Sequence, residues 1–218
     1  MIEINEIFVS FEGEGIEVGR KKIFLRLAGC NLKCTYCDTD YSVRCKVKGE
    51  KLIRKLRSLG EKENVKYLTI TGGEPLLQVD ELNKIVPELR KNFFITLETN
   101  GTLPDNFEKL KKVDFVSLDI KIPSSSGYGF FSETKRFVKI LKKRNIDYQL
   151  KFIFDRNTKI DELKRALTLR SKIFILQPVF KKYEDVDYKK WLKFSKIAIN
   201  YSKDVRLIPQ VHKYLGIK

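Results

Sequence analysis

Nowhere in the 218 residues does an apolar run approach the ~20 residues that a helix needs to cross a bilayer. The opening MIEINEIFVSFEGEG carries acids early and lacks a basic start and an extended apolar stretch, so it does not read as a secretory leader. A cytoplasmic location is the expectation. Cysteine is scarce, four in all, and three of these fall within eight residues. That crowding is unlike a disulfide framework in a chain of this size, and the thiols are expected to be reduced. There is no low-complexity segment, no Pro/Gly-rich linker and no close repeat. A chain of this length suffices for one well-buried domain and is short for two, so 1–218 is expected to be a single domain.

Acidic residues are in the minority, 28 against 44 basic ones, giving a formal net charge of +16. The basic residues are spread over nearly every expected helix and do not collect in one tract. Aromatics are not interleaved with them as in RNA-binding motifs. A solvated, Lys-rich exterior is therefore favoured over a nucleic-acid surface, and it would still attract an anionic substrate.

What is present is a rhythm. Apolar, β-rich runs at 23–28, 67–71, 93–97, 115–118, 148–154 and 173–176 alternate with amphipathic segments near 50–59, 79–91, 105–112, 131–143, 160–170 and 187–201. The near-continuous apolar character of the runs suggests parallel strands covered on both faces. Six strand–helix units imply a parallel sheet with right-handed crossovers, too few to close an eight-fold barrel. An α/β open partial (β/α)6 barrel is expected, ahead of a doubly wound open sheet. In either, ligands belong at the C-terminal ends of the strands. There the unusual residues stand: Gly29-Cys30, then Thr71-Gly72-Gly73-Glu74-Pro75, Glu98-Thr99-Asn100-Gly101, Asp119-Ile120-Lys121 and Gln177-Pro178.

Cys30, Cys34 and Cys37 are spaced C-x3-C-x2-C, which lets three sulfurs serve one compact zinc or iron–sulfur centre. Structural zinc normally takes four ligands, and the fourth could be Cys45, Asp38 or His212. Three thiolates on a four-iron cluster instead leave one iron open for catalysis. Together with the Gly-Gly-Glu-Pro turn after the next strand, the cysteines make the chain resemble the radical S-adenosylmethionine (SAM) superfamily over nearly its whole length. The resemblance implies a 4Fe–4S cluster on Cys30, Cys34 and Cys37, with SAM chelating the fourth iron. It implies Tyr36 and Asp38 beside the adenine, Gly72, Gly73 and Glu74 at the SAM amino group, and Glu98 and Asn100 at the ribose. Asp119, Lys121 and Gln177 complete the implied cofactor set.

Residues 7–15 (IFVSFEGEG), 24–31 (FLRLAGCN), Cys37-Asp38-Thr39 and Gln210-Val211-His212-Lys213 are similar to the 7-carboxy-7-deazaguanine synthase family. That family converts 6-carboxy-5,6,7,8-tetrahydropterin into 7-carboxy-7-deazaguanine, a precursor of queuosine- and archaeosine-type nucleosides. The resemblance implies a carbon–nitrogen lyase that abstracts hydrogen from C6 of the pterin, contracts the ring and releases ammonia. Glu14 would hold the guanidine-like edge and Arg26 the carboxylate. Glu12, Gly13, Thr71 and His212 would complete the substrate site, and Thr39 would ligate a Mg2+ ion. A flavodoxin or ferredoxin electron donor and a homodimer are also implied. The chain departs from the family pattern at Glu12, where Gln is usual, and at Gly216-Ile217-Lys218, where Gly-Ile-Pro is common. An extra carboxylate beside an anionic substrate requires a compensating cation. The competing readings are a glycyl-radical-type activating enzyme and a zinc-stabilised RNA-binding module.

Overall fold

The computed structural model describes residues 1–180 and 187–217. All six expected strands are present, as β2 (Lys21–Leu27), β4 (Tyr67–Gly72), β5 (Phe94–Thr99), β6 (Phe115–Ile120), β7 (Asp147–Phe154) and β8 (Ile173–Pro178). The six expected helices are α1 (Gly49–Glu63), α2 (Val79–Leu89), α3 (Pro104–Lys109), α5 (Phe131–Lys143), α6 (Ile160–Leu167) and α7 (Tyr188–Ala198). Pattern reading had not foreseen β1 (Ile2–Phe11), β3 (Cys45–Val47), β9 (Asp204–Leu207), or the short helices α4 (Pro123–Ser126) and α8 (Val211–Leu215). Helix α1 stops where Asn64 turns left-handed at φ 50. Helix α3 ends short of residue 112 because Leu110 adopts an extended backbone, and Leu110 and Val113 join the core.

The sheet order is β3-β1-β2-β4-β5-β6-β7-β8-β9. From β2 to β9 every neighbouring pair is parallel, while β1 is antiparallel to β2 and β3 to β1. Each parallel strand joins the sheet on the same side as the one before it. A doubly wound sheet reverses direction at a switch point; this one does not. Right-handed crossovers in an unreversed series lay all the helices on one face, which is the winding of a barrel left open between β3 and β9.

The two faces of the sheet differ sharply. On the helix-covered face lie Ile23, Leu25 and Leu27 of β2, Leu68 and Ile70 of β4, Ile95 and Leu97 of β5, Val116 and Leu118 of β6, and Leu150 and Phe152 of β7, all in one core. Helices α3 and α5 seal that core through stacked Phe107 and Phe137, whose ring centroids are 4.1 Å apart. Burying each such ring contributes about 1.5–3 kcal/mol. The alternate residues face the other way, and here the expectation of apolar character on both faces is corrected. Lys22, Thr69, Thr96, Ser117, Gln149, Lys151 and Gln177 are all buried, yet polar. Register brings them into rows: Thr69 lies beside Thr96, Ser117 beside Gln149, and Asp119 beside Lys151. A strand period of two therefore separates a structural face from a chemical one.

Candidate functional site

Between β2 and β3 the chain makes a long irregular loop that carries the cysteines. Its backbone is tied down by Gly29 N donating to Tyr41 O at 2.8 Å and Cys37 N donating to Cys34 O at 3.0 Å. Thr35 hydrogen-bonds through its hydroxyl to Ser125 O, and Asn31 Nδ2 donates to Thr102 Oγ1 at 2.8 Å. Cys30 and Cys34 are half-buried and Cys37 is exposed, and all three line a cavity of about 170 Å3 at the C-terminal rim of the strands. Among the described residues, no three His, Cys, Asp or Glu side chains converge tightly enough to share one ion. The proposed fourth zinc ligands are elsewhere engaged. Cys45 lies on β3 opposite Ile4, Asp38 is ion-paired with Lys213, and His212 packs against Gly13. Three thiols that line one cavity without meeting at a point fit a four-iron cube, which presents a separate iron to each. Burial pushes the Cys30 and Cys34 thiols up, so their deprotonation depends on the charge of the metal they bind.

Most of the implied cofactor residues line this first cavity: Tyr36, Asp38, Gly72, Gly73, Glu98, Asn100, Asp119, Lys121 and Gln177. Glu74 does not. It is fully buried behind the wall, where its carboxylate accepts from Leu76 N at 3.0 Å, Thr99 Oγ1 at 2.9 Å and Asn100 N at 2.8 Å. It caps the short 3-10 turn that follows, and burial pushes its pKa up to about 7. The glycines serve the chain's own packing. A Cβ on Gly73 would lie 2.1 Å from Gly29 O, and one on Gly72, at φ 139, would lie 2.1 Å from Leu27 O. The turn is thus pressed against the start of the cysteine loop, and Glu74 N donates to Gly29 O at 2.9 Å. Asn100 lines the cavity, but its amide also bridges loops, donating to Asn31 Oδ1 at 2.9 Å and accepting from Thr102 Oγ1 at 2.6 Å. Gln177 is buried, and its Oε1 has no partner among the described residues. A cavity-lining acceptor of that kind suits a ligand that brings N–H or O–H groups, as SAM does.

A second cavity, of about 270 Å3, adjoins the first. Glu12, Gly13, Glu14, Arg26, Thr71 and His212 all line it, joined by Phe8, Phe11 and Phe24. The two ends of the chain meet here. Val211 N donates to Gly13 O at 2.9 Å, and Gln210 Nε2 donates to Glu14 Oε1 at 2.7 Å. A Cβ on Gly13 would lie 2.1 Å from His212 Nδ1, so only glycine lets α8 dock so closely. Arg26 lies over the Phe8 ring at 5.2 Å and ion-pairs with Glu6, its register partner on β1. Lys218 lies outside the described residues.

The cavities share Glu14, Asp38, Thr39, Thr71, Glu98 and Gln210. Beside that common wall, and itself lining the first cavity, stands Lys151, which neither composition nor spacing had flagged. Its Nζ is 2.6 Å from Glu14 and 3.1 Å from Asp119. Burial alone would raise the Glu14 pKa, but the Lys151 ammonium and the amides of Gln210 and Gln177 hold it at about 2. Among the described residues no cation is ion-paired with Glu98, and Lys151 acts on it only from a distance. Burial and repulsion from Glu12 and Glu14 push it up to about 7. On the cysteine side, Lys121 donates to Tyr36 Oη at 3.0 Å and pairs with Asp119 at 2.9 Å. Burial works against this ammonium, but Asp119 holds its pKa above the ordinary lysine value. Burial also pushes the Tyr36 hydroxyl up to about 12. The one signal of Lys151 in the sequence is a charge set inside the apolar run YQLKFIF, which marks a buried partner without saying on which face of the sheet it lies.

Comparison with known proteins agrees with this geometry. Residues 25–166 match the model of the radical SAM superfamily. The 7-carboxy-7-deazaguanine synthase of Archaeoglobus fulgidus is 34% identical, covering 98% of this chain and 97% of that protein. The enzyme of the same name from Geobacter sulfurreducens is 31% identical, with 98% and 97% covered. The crystal structure of QueE from Escherichia coli superposes with a TM-score of 0.65 at 22% identity over 97% of this chain and 94% of that one, a likeness of fold. The cysteine loop, the unreversed parallel sheet and this full-length similarity lead to one conclusion: the chain belongs to the radical SAM superfamily and, within it, to the 7-carboxy-7-deazaguanine synthase family.

Proposed function

We propose that this enzyme converts 6-carboxy-5,6,7,8-tetrahydropterin to 7-carboxy-7-deazaguanine, binding SAM in the first cavity and the pterin in the second. The observation that carries this reading is the wall the two cavities share: Glu14, Thr39, Thr71 and Glu98 border both. A substrate in one cavity is thereby within reach of a cofactor in the other. A 4Fe–4S cluster on Cys30, Cys34 and Cys37, with SAM, supplies one-electron chemistry that removes a hydrogen atom from the substrate. The protein's own work is to orient and enclose. Glu14, ionised through Lys151, is an acceptor for the amino-pyrimidinone edge, and Arg26 is a planar donor for the substrate carboxylate. Phe8, Phe11 and Phe24 give the second cavity an apolar side for a flat ring. Thr39, half-buried at the junction, offers the kind of hard oxygen that Mg2+ accepts, and a Mg2+ ion there would offset the carboxylates of the shared wall.

The enzyme works as a single domain and a homodimer, with a flavodoxin or ferredoxin delivering the electron through the exposed side of the cysteine loop at Cys37. A cytoplasmic location agrees with reduced thiols, and no described helix is long and apolar enough to cross a membrane. The test is anaerobic turnover of reconstituted enzyme with SAM, reductant, Mg2+ and the carboxy-tetrahydropterin. Mass spectrometry should find 7-carboxy-7-deazaguanine, and Arg26→Lys should raise the substrate KM. Formation of 5′-deoxyadenosine without consumption of the pterin would leave the radical SAM chemistry and refute the substrate.

A further inference from the structure

Beneath the second cavity, the floor of the inner face is built around an ammonium. Lys22, on β2, has no exposed surface. Burying a lone ammonium is so costly that its partners must be good, and they are. Nζ lies 3.1 Å from Glu12 Oε2, 2.6 Å from Glu17 Oε2 and 3.2 Å from Thr69 Oγ1, one acceptor for each of its protons. Glu17 is steadied by Arg20, which donates to its other oxygen at 2.8 Å, and by Thr96, whose hydroxyl donates at 2.9 Å to the oxygen that Lys22 also holds. The second oxygen of Glu12 accepts from Glu14 N at 3.2 Å. Glu12 lines the second cavity, whereas Lys22 does not. Whatever Lys22 does for a ligand there, it does through Glu12.

We propose that Lys22 is a specificity-determining positioning residue: by its direct hydrogen bond it holds the Glu12 carboxyl group in place and aims it into the second cavity as an acceptor for ring N–H groups of the bound heterocycle. The inference rests on the reading of that cavity as the pterin site, and it narrows the substrate class to a reduced, N–H-bearing ring. Glu12 sits above the ordinary carboxylate range: burial first, and then the neighbouring Glu14, favour a proton on it, while Lys22 and, more weakly, Lys151 hold that rise back. A protonated Glu12 would present a donor where a reduced pterin also presents donors. Lys22 thus supplies the compensating cation that a carboxylate at position 12 requires, and it comes from the floor, leaving the cavity itself free for substrate.

The experiment is a double-mutant cycle on the reconstituted holoenzyme, comparing Lys22→Met, Glu12→Gln and the pair at equal iron content. Three readouts are taken: calorimetric Kd for 6-carboxy-tetrahydropterin, KM and kcat, and Tm. Lys22→Met should raise Kd and KM about tenfold, the loss of one charged hydrogen bond, with a much smaller effect on kcat. The double variant should match Glu12→Gln in Kd and recover part of the Tm lost in Lys22→Met, because an amide at position 12 needs no counter-cation while Glu17 still lacks its ammonium. A Lys22→Met protein with lowered Tm and unchanged Kd would overturn the inference, since the ammonium would then only brace the floor. A double variant whose affinity falls by the product of the single effects would overturn it as well. If Lys22→Met does not fold, Lys22→Gln, which removes the charge but keeps a hydrogen-bonding head, takes its place: a raised Kd supports the inference and an unchanged Kd refutes it. Wild-type enzyme that neither binds nor turns over the pterin sinks the substrate reading itself, before any variant is made.

Discussion

Replacing Lys151 with Met tests the electrostatics of the shared wall most directly. The side chain is 5% exposed and its ammonium sits 2.6 Å from Glu14 and 3.1 Å from Asp119. Methionine keeps most of the volume and removes the charge, so two half-buried carboxylates lose a common partner while Asp119 retains Lys121 at 2.9 Å. The effect on Glu14 sets the scale. Holding its pKa at about 2 instead of the ordinary 4.5 corresponds to about 3 kcal/mol at neutral pH, within the range for breaking a buried pair. Its folded value lies below its unfolded one, so the contribution is complete above about pH 4.5 and is lost as the pH falls toward 2. Urea unfolding under anaerobic conditions should therefore show Lys151→Met less stable by about 3 kcal/mol at pH 7, with the difference shrinking to about half by pH 3. The pair Glu14→Gln and Lys151→Met should lose less than the sum of its parts. A deficit under about 1 kcal/mol at pH 7, or one that does not change with pH, would refute the reasoning.

Alanine at Cys30, Cys34 or Cys37 should abolish iron incorporation and reductive SAM cleavage, whereas Cys45→Ala, on edge strand β3, should retain the full iron content and visible absorbance. Gly73→Ala places a Cβ 2.1 Å from Gly29 O, so the turn must move away from the cysteine loop; both Tm and SAM affinity should fall, and unchanged SAM binding would take the turn out of the site. For Glu98, the folded pKa of about 7 lies above 4.5, so the stability its neutral form contributes is full in acid and lost as the pH rises through 7. Glu98→Gln removes that loss, and its Tm should gain on the wild type by a few degrees between pH 5.5 and 8.5; a constant difference would contradict the assignment.

Local patterns in the chain were enough for the strands, the helices and the rim. Six apolar runs and six amphipathic segments became β2, β4–β8 and the helices between them, because burial against a neighbour and helical period are both written in short windows. The cysteine loop, the Gly-Gly-Glu-Pro turn and the polar strand ends were legible for the same reason: one crossover winding sends every strand's C-terminal end to the same rim. Tertiary structure decided the rest. Nothing near Glu14 announces Lys151 or Gln210, which lie 137 and 196 residues away. The glycines of the turn look from sequence like a ligand cradle, yet their missing Cβ atoms make room for the cysteine loop, and Glu74 faces inward where a ligand-facing acid was expected. The alternation of Thr69, Glu98, Gln149 and Lys151 with core residues was present all along, but a run such as YQLKFIF does not say which phase faces helices and which faces a ligand. That is settled only when the sheet curls, because then one side is packed by helices and the other encloses a space in which buried charges must pair with one another.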